Sequence, residues 1–375
     1  MRIGVISTSK IPSTTANSIQ VMKVCQAYRQ LGHDVFLIIP GKKKKKWDDL
    51  TEIYGLSKSF DISYLPSLIL FRRYDFSILA GFMILSKKID LVHTWMPQTA
   101  LISGLLKKPY LIELHEMPTG RIGPWLFKKI LFSKHKKRFL PITSVLKNMF
   151  QKEFNYKFDQ NEVRIAPDGV DLESYQDLPQ STQLKKDLGI QDTFTAVYTG
   201  HLYAGRGMDL LVELARRLPE FQFLWVGGRD EEVNHWKHFL KEKNFKNITL
   251  TGFVKNVKIP HYQSIADVLL MPYENQISGS SGGNTADYCS PMKMFEYMAT
   301  GKPIITSDLP VFHEVLNNEN AIFCDYHDAE QWITAIKRIQ ESPDHSKKLG
   351  DRAKIDVKKY TWIERTKNSL DGFIR

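Results

Sequence analysis

Cysteine is scarce in this chain: Cys25, Cys289 and Cys324 are the only three among 375 residues. Three thiols cannot build a disulfide framework and their spacing matches no metal site, so a reducing, cytoplasmic compartment is expected. Long apolar runs are missing as well. Ile3-Gly4-Val5-Ile6 gives way at once to Ser7-Thr8-Ser9, and Ser77–Leu85 stops before Lys87-Lys88. A bilayer span needs about 20 apolar residues, which excludes an integral membrane protein, and the first run is too short for a signal-peptide core. No Asp-x-Asp occurs, so no metal is expected on such a pair, and His115-Glu116 lacks the second histidine of a zinc-protease helix. The loop after the first apolar run has no Gly-x-Gly-x-x-Gly, which argues against a dehydrogenase.

What is present is an ordinary globular composition. Hydrophobic residues at 42% and charged residues at 25% exclude wholesale disorder, and 375 residues exceed what one core organises, predicting two domains. The charge is uneven. Residues 1–170 hold 27 Lys and Arg against 13 Asp and Glu, an excess of +14; the remainder holds 25 against 28, or −3, giving +11 overall. A basic half implies an anionic partner: a phospholipid surface, nucleic acid or an anionic substrate.

Apolar runs alternate with helical patterns. Residues 1–8 read as a buried strand, Ser18–Leu31 as a helix capped by Asn17 or Ser18 and stopped by Gly32, and His33–Pro40 as a second strand. That order is a βαβ unit with a parallel sheet. Further strands are predicted at 89–93, 110–115, 139–143 and 163–167, then at 195–200, 223–228, 248–252, 267–272 and 303–306. Helical patterns cover 208–218, 233–243, 292–299 and 329–341, and the polar stretch 171–189 divides the two series. The prediction is an α/β protein of two Rossmann-like, doubly wound parallel-sheet domains, residues 1–175 and 176–360, facing a cleft. Ligands are expected beyond the carboxyl ends of the strands.

Two strand-end segments carry chemistry. Gly200-His201-Leu202-Tyr203-Ala204-Gly205-Arg206-Gly207 joins a strand to a helix. Its glycines allow close backbone approach, the helix offers N–H groups to an anion, and Arg206 brings a fork suited to phosphate. An ordinary turn with a solvated arginine would read the same. In Ser290-Pro291-Met292-Lys293-Met294-Phe295-Glu296-Tyr297, Ser290 is expected to cap a helix starting at Pro291. Lys293 and Glu296 then share one face, where a cation and helix-start amides can hold a diphosphate and a carboxylate can accept from sugar hydroxyls. A surface ion pair is the plainer alternative. Residues 276–285 are polar and long enough for a mobile loop over a cleft, or for an ordinary surface loop.

These segments, in this order, resemble the GT-B glycosyltransferases of family 4. The resemblance is carried by Asp168-Gly169-Val170-Asp171, Gly200…Arg206-Gly207, Val226-Gly227-Gly228, Gly252-Phe253-Val254, Ala266-Asp267 and Phe295-Glu296-Tyr297-Met298-Ala299-Thr300-Gly301-Lys302-Pro303-Ile304. Tyr360-Thr361-Trp362 resembles the segment that crosses back in that fold, which implies a closing helix over 361–375 on the N-terminal, acceptor-binding domain. The resemblance implies Arg206 and Lys293 on the donor diphosphate, with Ser290, Pro291 and Met292 completing the cradle. It implies Glu296 on the ribose, Phe253 and Val254 at the nucleobase, and His115 on the transferred sugar. Gly200, His201 and Gly227 would line the donor, and Ser9 and Asn17 would lie in the first loop near phosphate and acceptor. Two positions depart from the pattern: Tyr288 stands where the first acid of a paired-glutamate motif belongs, and His201 where arginine is common.

By the same resemblance the reaction is a retaining, metal-independent hexosyl transfer from a nucleotide-diphosphate sugar to a saccharide or lipid-linked acceptor in cell-envelope polysaccharide synthesis. UDP-glucose or UDP-GlcNAc is the expected donor, and no cofactor is expected. A sugar-nucleotide epimerase of the same fold is the alternative. A basic nucleic-acid binder is remoter, because the lysine runs lack a stacking platform, and no nucleic-acid partner is expected. Lysines at 42–46, 107–108 and 128–129 and the run Lys134-His135-Lys136-Lys137-Arg138, with aromatics interleaved over Trp125–Phe132, match a helix lying on an anionic membrane, and equally a solvated helix over a core. The expected location is the cytoplasm or the inner face of the plasma membrane.

Overall fold

In a computed structural model the chain is described at residues 1–42, 45–178, 181–190, 193–277 and 284–373. It packs as two units: unit 1 is Met1–Asp168 together with the stretch from Trp362 onward, and unit 2 is Gly169–Thr361.

Unit 1 holds β1 (Arg2–Ile6), β2 (Asp34–Pro40), β3 (Asp61–Leu65), β4 (Leu91–Thr94), β5 (Tyr110–Leu114) and β6 (Lys137–Pro141), in the order β3-β2-β1-β4-β5-β6. Unit 2 repeats that order. Its strands are β7 (Thr195–Thr199), β8 (Gln222–Val226), β9 (Ile248–Leu250), β10 (Val268–Met271), β11 (Ile304–Ser307) and β12 (Ile322–Cys324), arranged β12-β11-β10-β7-β8-β9. Every ladder is parallel. In each sheet the winding direction reverses once, between β1 and β4 and between β7 and β10. Loops leaving the strands part at such a switch point, and ligands of doubly wound sheets bind there.

The strands read as continuous apolar runs because helices cover both faces. In unit 2, Val197, Leu224, Leu269 and Ile304 enter one core while Ala196, Trp225, Leu270 and Ile305 enter the other, as the two-residue period of a strand requires.

Several sequence expectations need correction. Residues 163–167 form no strand: a single bridge joins Val163 to Phe139, and Pro167, lacking an N–H, cannot extend the pairing. The short edge strands β3 and β12 were not anticipated, since neither carries a long apolar run. The first long helix, Ala16–Gln30, is capped by Thr15 rather than by Asn17 or Ser18. Thr15 keeps extended backbone angles and accepts from the Ser18 amide at 3.4 Å, while the Ser18 hydroxyl turns back to donate to the Ser13 carbonyl at 2.9 Å. Among the described residues no helix is long and apolar enough to cross a membrane. Of the lysine run 42–46, residues 43 and 44 lie outside the described residues.

Candidate active site

The site in unit 2 is built where β7 and β10 end. Gly200 follows β7 with φ +136°, and a side chain there would put its Cβ 2.7 Å from the Lys293 Nζ. Gly207 takes a left-handed conformation at φ +71° and opens the helix Met208–Arg217; a Cβ there would collide with the Pro272 carbonyl just beyond β10. Only glycine lets the loop Gly200–Gly207 lie this close to the neighbouring chain.

Two cations rest on tyrosine rings in this corner. The Arg206 guanidinium lies 4.9 Å from the Tyr203 ring centre and 4.6 Å from that of Tyr273, and it donates to the Tyr203 hydroxyl at 2.6 Å. The Lys293 ammonium lies 3.9 Å from the Tyr198 ring centre and 5.1 Å from that of Tyr273, so Tyr273 is shared by both cations. Lys293 is 9% exposed. Among the described residues, its Nζ and the Arg206 Nε are buried without a hydrogen-bond partner. Burial, reinforced by the charge of Arg206, holds the Lys293 ammonium well below the usual lysine range. Sequence reasoning offered a surface Lys293–Glu296 ion pair as an alternative; none joins them among the described residues, and the lysine is inside.

Lys293 is the second residue of the helix Met292–Thr300. Ser290 was expected to cap this helix with Pro291 as its first turn. Instead Pro291, with an extended ψ of 126°, holds the cap position and the helix starts at Met292. The first amides of a helix have no carbonyl of their own to bind and point outward, with the positive end of the dipole behind them. One turn on, Glu296 accepts from the Gln263 amide at 3.2 Å, and Gln263 in turn accepts from the Tyr175 hydroxyl at 2.8 Å.

The remaining predicted donor residues surround this corner unevenly. Gly227 pairs with Gly252, its N–H donating to the Gly252 carbonyl at 3.0 Å, and Phe253 beyond it is 55% exposed while Val254 packs on the core. His201 stacks on Tyr203 with ring centres 5.3 Å apart. Burial pushes its imidazole below the ordinary range, against the pull of Glu232, so it is a neutral ring at pH 7 and adds no fixed charge. In the predicted loop 276–285, Asn284 accepts from the Ile277 amide at 2.9 Å, which ties the ends together; residues 278–283 lie outside the described residues.

Unit 1 gathers its polar groups at the ends of β1, β4 and β5. The Ser9 hydroxyl donates to Asn17 and contacts the Ser7 hydroxyl at 2.9 Å. His115, just past β5, has its Nε2 3.2 Å from the Glu113 carboxylate. Gln20 donates to Asp168 at 2.8 Å and accepts from the Trp95 indole at 3.1 Å. Burial pushes the Asp168 carboxyl up to about 6. Sequence reasoning missed Tyr198, Tyr203 and Tyr273 beneath the cations, Gln263 behind Glu296, and Glu113, Asp168 and Gln20 around His115.

Two parallel-sheet units of matching strand order define the GT-B class, and solved structures agree. The structure of Anabaena HepE in complex with UDP aligns over 98% of this chain and 98% of its own, with a TM-score of 0.75 at 12% identity. The model of "Glycosyltransferase Family 4" matches residues 18–174 and that of "Glycosyl transferases group 1" matches residues 180–356. The chain belongs to the family 4 glycosyltransferases. It is 25% identical to the alpha-galactosylglucosyldiacylglycerol synthase of Streptococcus pneumoniae over 73% of this chain and 67% of that one. It is 23% identical to the alpha-monoglucosyldiacylglycerol synthase of Acholeplasma laidlawii over 96% of this chain and 93% of that one.

Proposed function

We propose that unit 2 binds a UDP-linked hexose and that the protein transfers the hexose, with retention and without a metal, to a lipid-linked or saccharide acceptor held by unit 1. The observation that carries this reading is the pair of cations, the buried Lys293 and the half-buried Arg206, on tyrosine rings at the switch point. Among the described residues neither has a carboxylate paired to it. A buried cation without a counter-charge is costly, and a diphosphate removes that cost by supplying charge-assisted hydrogen bonds. The start of the helix Met292–Thr300 adds its amides and dipole. As the sugar–phosphate bond breaks, charge grows on the departing diphosphate, and donors fixed in advance stabilise it without reorganisation. Glu296, steadied by Gln263, accepts from the ribose hydroxyls, and His115 contacts the sugar. The acceptor hydroxyl attacks from the face the diphosphate leaves, and that diphosphate takes its proton. The glycolipid names of two relatives and the UDP held by HepE support the acceptor and donor classes.

The test is transfer from a panel of UDP- and GDP-hexoses to diacylglycerol and glycosyl-diacylglycerol in EDTA, with the product's anomeric configuration read by NMR. An inverted product sinks the mechanism; neither transfer nor slow hydrolysis with any donor sinks the function.

A lipid acceptor favours a membrane contact through unit 1. The helix Ile122–Leu131 turns Leu126, Phe127, Ile130 and Leu131 into the core, so most of the apolar side chains of Trp125–Phe132 do not face outward. The exposed apolar residues lie on a wider surface: Leu70 is 86%, Phe82 66%, Leu105 68% and Trp125 58% exposed, with Arg72, Lys107, Lys128 and Lys129 exposed among them. Apolar side chains inserted below lipid headgroups, with basic ones level with the phosphates, suit an anionic bilayer. Leu70→Ser with Phe82→Ser is expected to weaken flotation with anionic vesicles by about tenfold or more, without lowering Tm. Absence of wild-type flotation at low salt removes this contact.

A further inference from the structure

Glu113 is a buried carboxylate at an apolar strand position, 4% exposed, and four donors converge on it. Arg365, on the helix Trp362–Leu370, grips it with both arms, NH1 to Oε1 at 2.9 Å and NH2 to Oε2 at 2.8 Å. Each oxygen also meets one imidazole: Oε1 meets the His93 Nε2 at 2.9 Å and Oε2 meets the His115 Nε2 at 3.2 Å. Arg365 is anchored in turn on the Pro167 and Ala166 carbonyls, at 2.8 and 3.0 Å. His93 is fixed from its other side by the Tyr28 hydroxyl at 2.8 Å. A bidentate guanidinium pair of this kind sets the carboxylate's plane, not only its charge.

Two neighbours compete for the His115 Nε2. The Gln20 amide nitrogen lies 3.3 Å away, and the Glu113 oxygen 3.2 Å away. A carboxylate can only accept, so its contact requires a proton on Nε2; the amide nitrogen can only donate, so its contact requires a bare Nε2. The carboxylate prevails, because its bond is charge-assisted and the shorter of the two, while the Gln20 amide has its stronger partner in Asp168 at 2.8 Å. Burial would protonate Glu113, but Arg365 and the hydrogen bonds from His115 and His93 together outweigh it and hold the carboxyl well below the usual range, so Glu113 remains an acceptor. The neutral His115 ring is then held as its Nε2–H tautomer, with Nδ1 left as the acceptor, on a side chain 31% exposed.

We propose that Glu113, clamped by Arg365, is a positioning residue that sets the tautomer and direction of the His115 ring, which makes the Trp362–Leu370 helix part of the transfer machinery. The inference rests on the role given above to His115. Removing Glu113 alone would strand a buried guanidinium and threaten folding, so the test replaces both partners: Glu113→Leu with Arg365→Met, a well-packed apolar pair that buried ion pairs tolerate. The variant is expected to keep its circular dichroism and a cooperative melt, at a lower Tm because His93 and the Ala166 and Pro167 carbonyls lose partners, yet lose about 10²-fold in kcat, with the donor KM unchanged. His115→Ala added to that background should cost little more, whereas in the wild type it should cost the full factor. Wild-type kcat in the double variant, with His115→Ala still costly there, overturns the proposal and leaves the function standing. Nitrogen-15 shifts of His115 decide independently of turnover and of the variant's folding: an Nε2–H tautomer in the wild type is expected, and an Nδ1–H tautomer overturns the proposal. A wild type that neither transfers nor hydrolyses any nucleotide-hexose overturns the function instead.

Discussion

Arg206→Ala is expected to lower turnover by about 10²–10³-fold, the usual cost of losing one preorganised donor at a developing negative charge. The loss should fall on kcat more than on the donor KM, because the diphosphate is more negative while leaving than while bound to the sugar. Stability should change little. The substitution gives up the hydrogen bond to Tyr203 and the contacts with two rings, worth about 0.5–2 kcal/mol for a cation over an aromatic, but it also removes a half-buried charge that no carboxylate pairs with among the described residues. Arg206→Lys keeps the charge and loses the fork, and should recover only part of the rate. Steady-state kinetics beside a thermal melt check this; near-normal turnover in the alanine variant would take Arg206 out of the mechanism.

Lys293→Met should separate activity from stability more sharply. Turnover is expected to fall by about 10²-fold or more, while Tm rises, since a buried ammonium over Tyr198 gives way to an apolar chain of similar length. The pH dependence fixes the sign. Folding lowers the lysine's pKa, so between its folded and unfolded values the unfolded chain binds more protons, and this residue's contribution to stability improves as pH rises. Donor binding runs the other way: a diphosphate restores the charge and draws in a proton, so donor affinity falls with rising pH across the same window. Melting curves and UDP titrations over a pH series should show both trends in the wild type and neither in the methionine variant. Parallel pH profiles in the two proteins would mean that Lys293 is already charged in the empty site.

The legible parts of this molecule are those whose chemistry lies within a few consecutive residues. The segment Gly200–Gly207 carries its glycines, its arginine and the start of a helix together, and Ser290–Glu296 does the same for lysine and glutamate. The tyrosines beneath the cations escaped because Tyr198 sits inside a strand and reads as core, while Tyr273 comes from the end of β10, more than sixty residues beyond Arg206 in the chain; only the reversal of winding between β7 and β10 brings them together. In unit 1 a signal was present but incomplete. Glu113 interrupts the apolar strand Tyr110–Leu114, and a buried acid demands a partner, but the guanidinium that answers it stands 252 positions away. No periodicity reaches that far. The cap of the first helix was misread for a local reason: Thr15, Asn17 and Ser18 all favour a cap, and the choice depends on which backbone stays extended.

The division of the chain has a consequence for its synthesis. Unit 2 is one uninterrupted stretch, whereas unit 1 is completed by residues that follow it. At a translation rate of about 5–20 residues per second, ten seconds or more pass between the emergence of Asp168 and that of Arg365. Throughout that interval Glu113 lacks the guanidinium that answers its charge, and unit 1 lacks the helix Trp362–Leu370 that carries it. Unit 2 needs nothing made after Thr361. Unit 1, although begun first, therefore cannot be completed until the whole of unit 2 has been made.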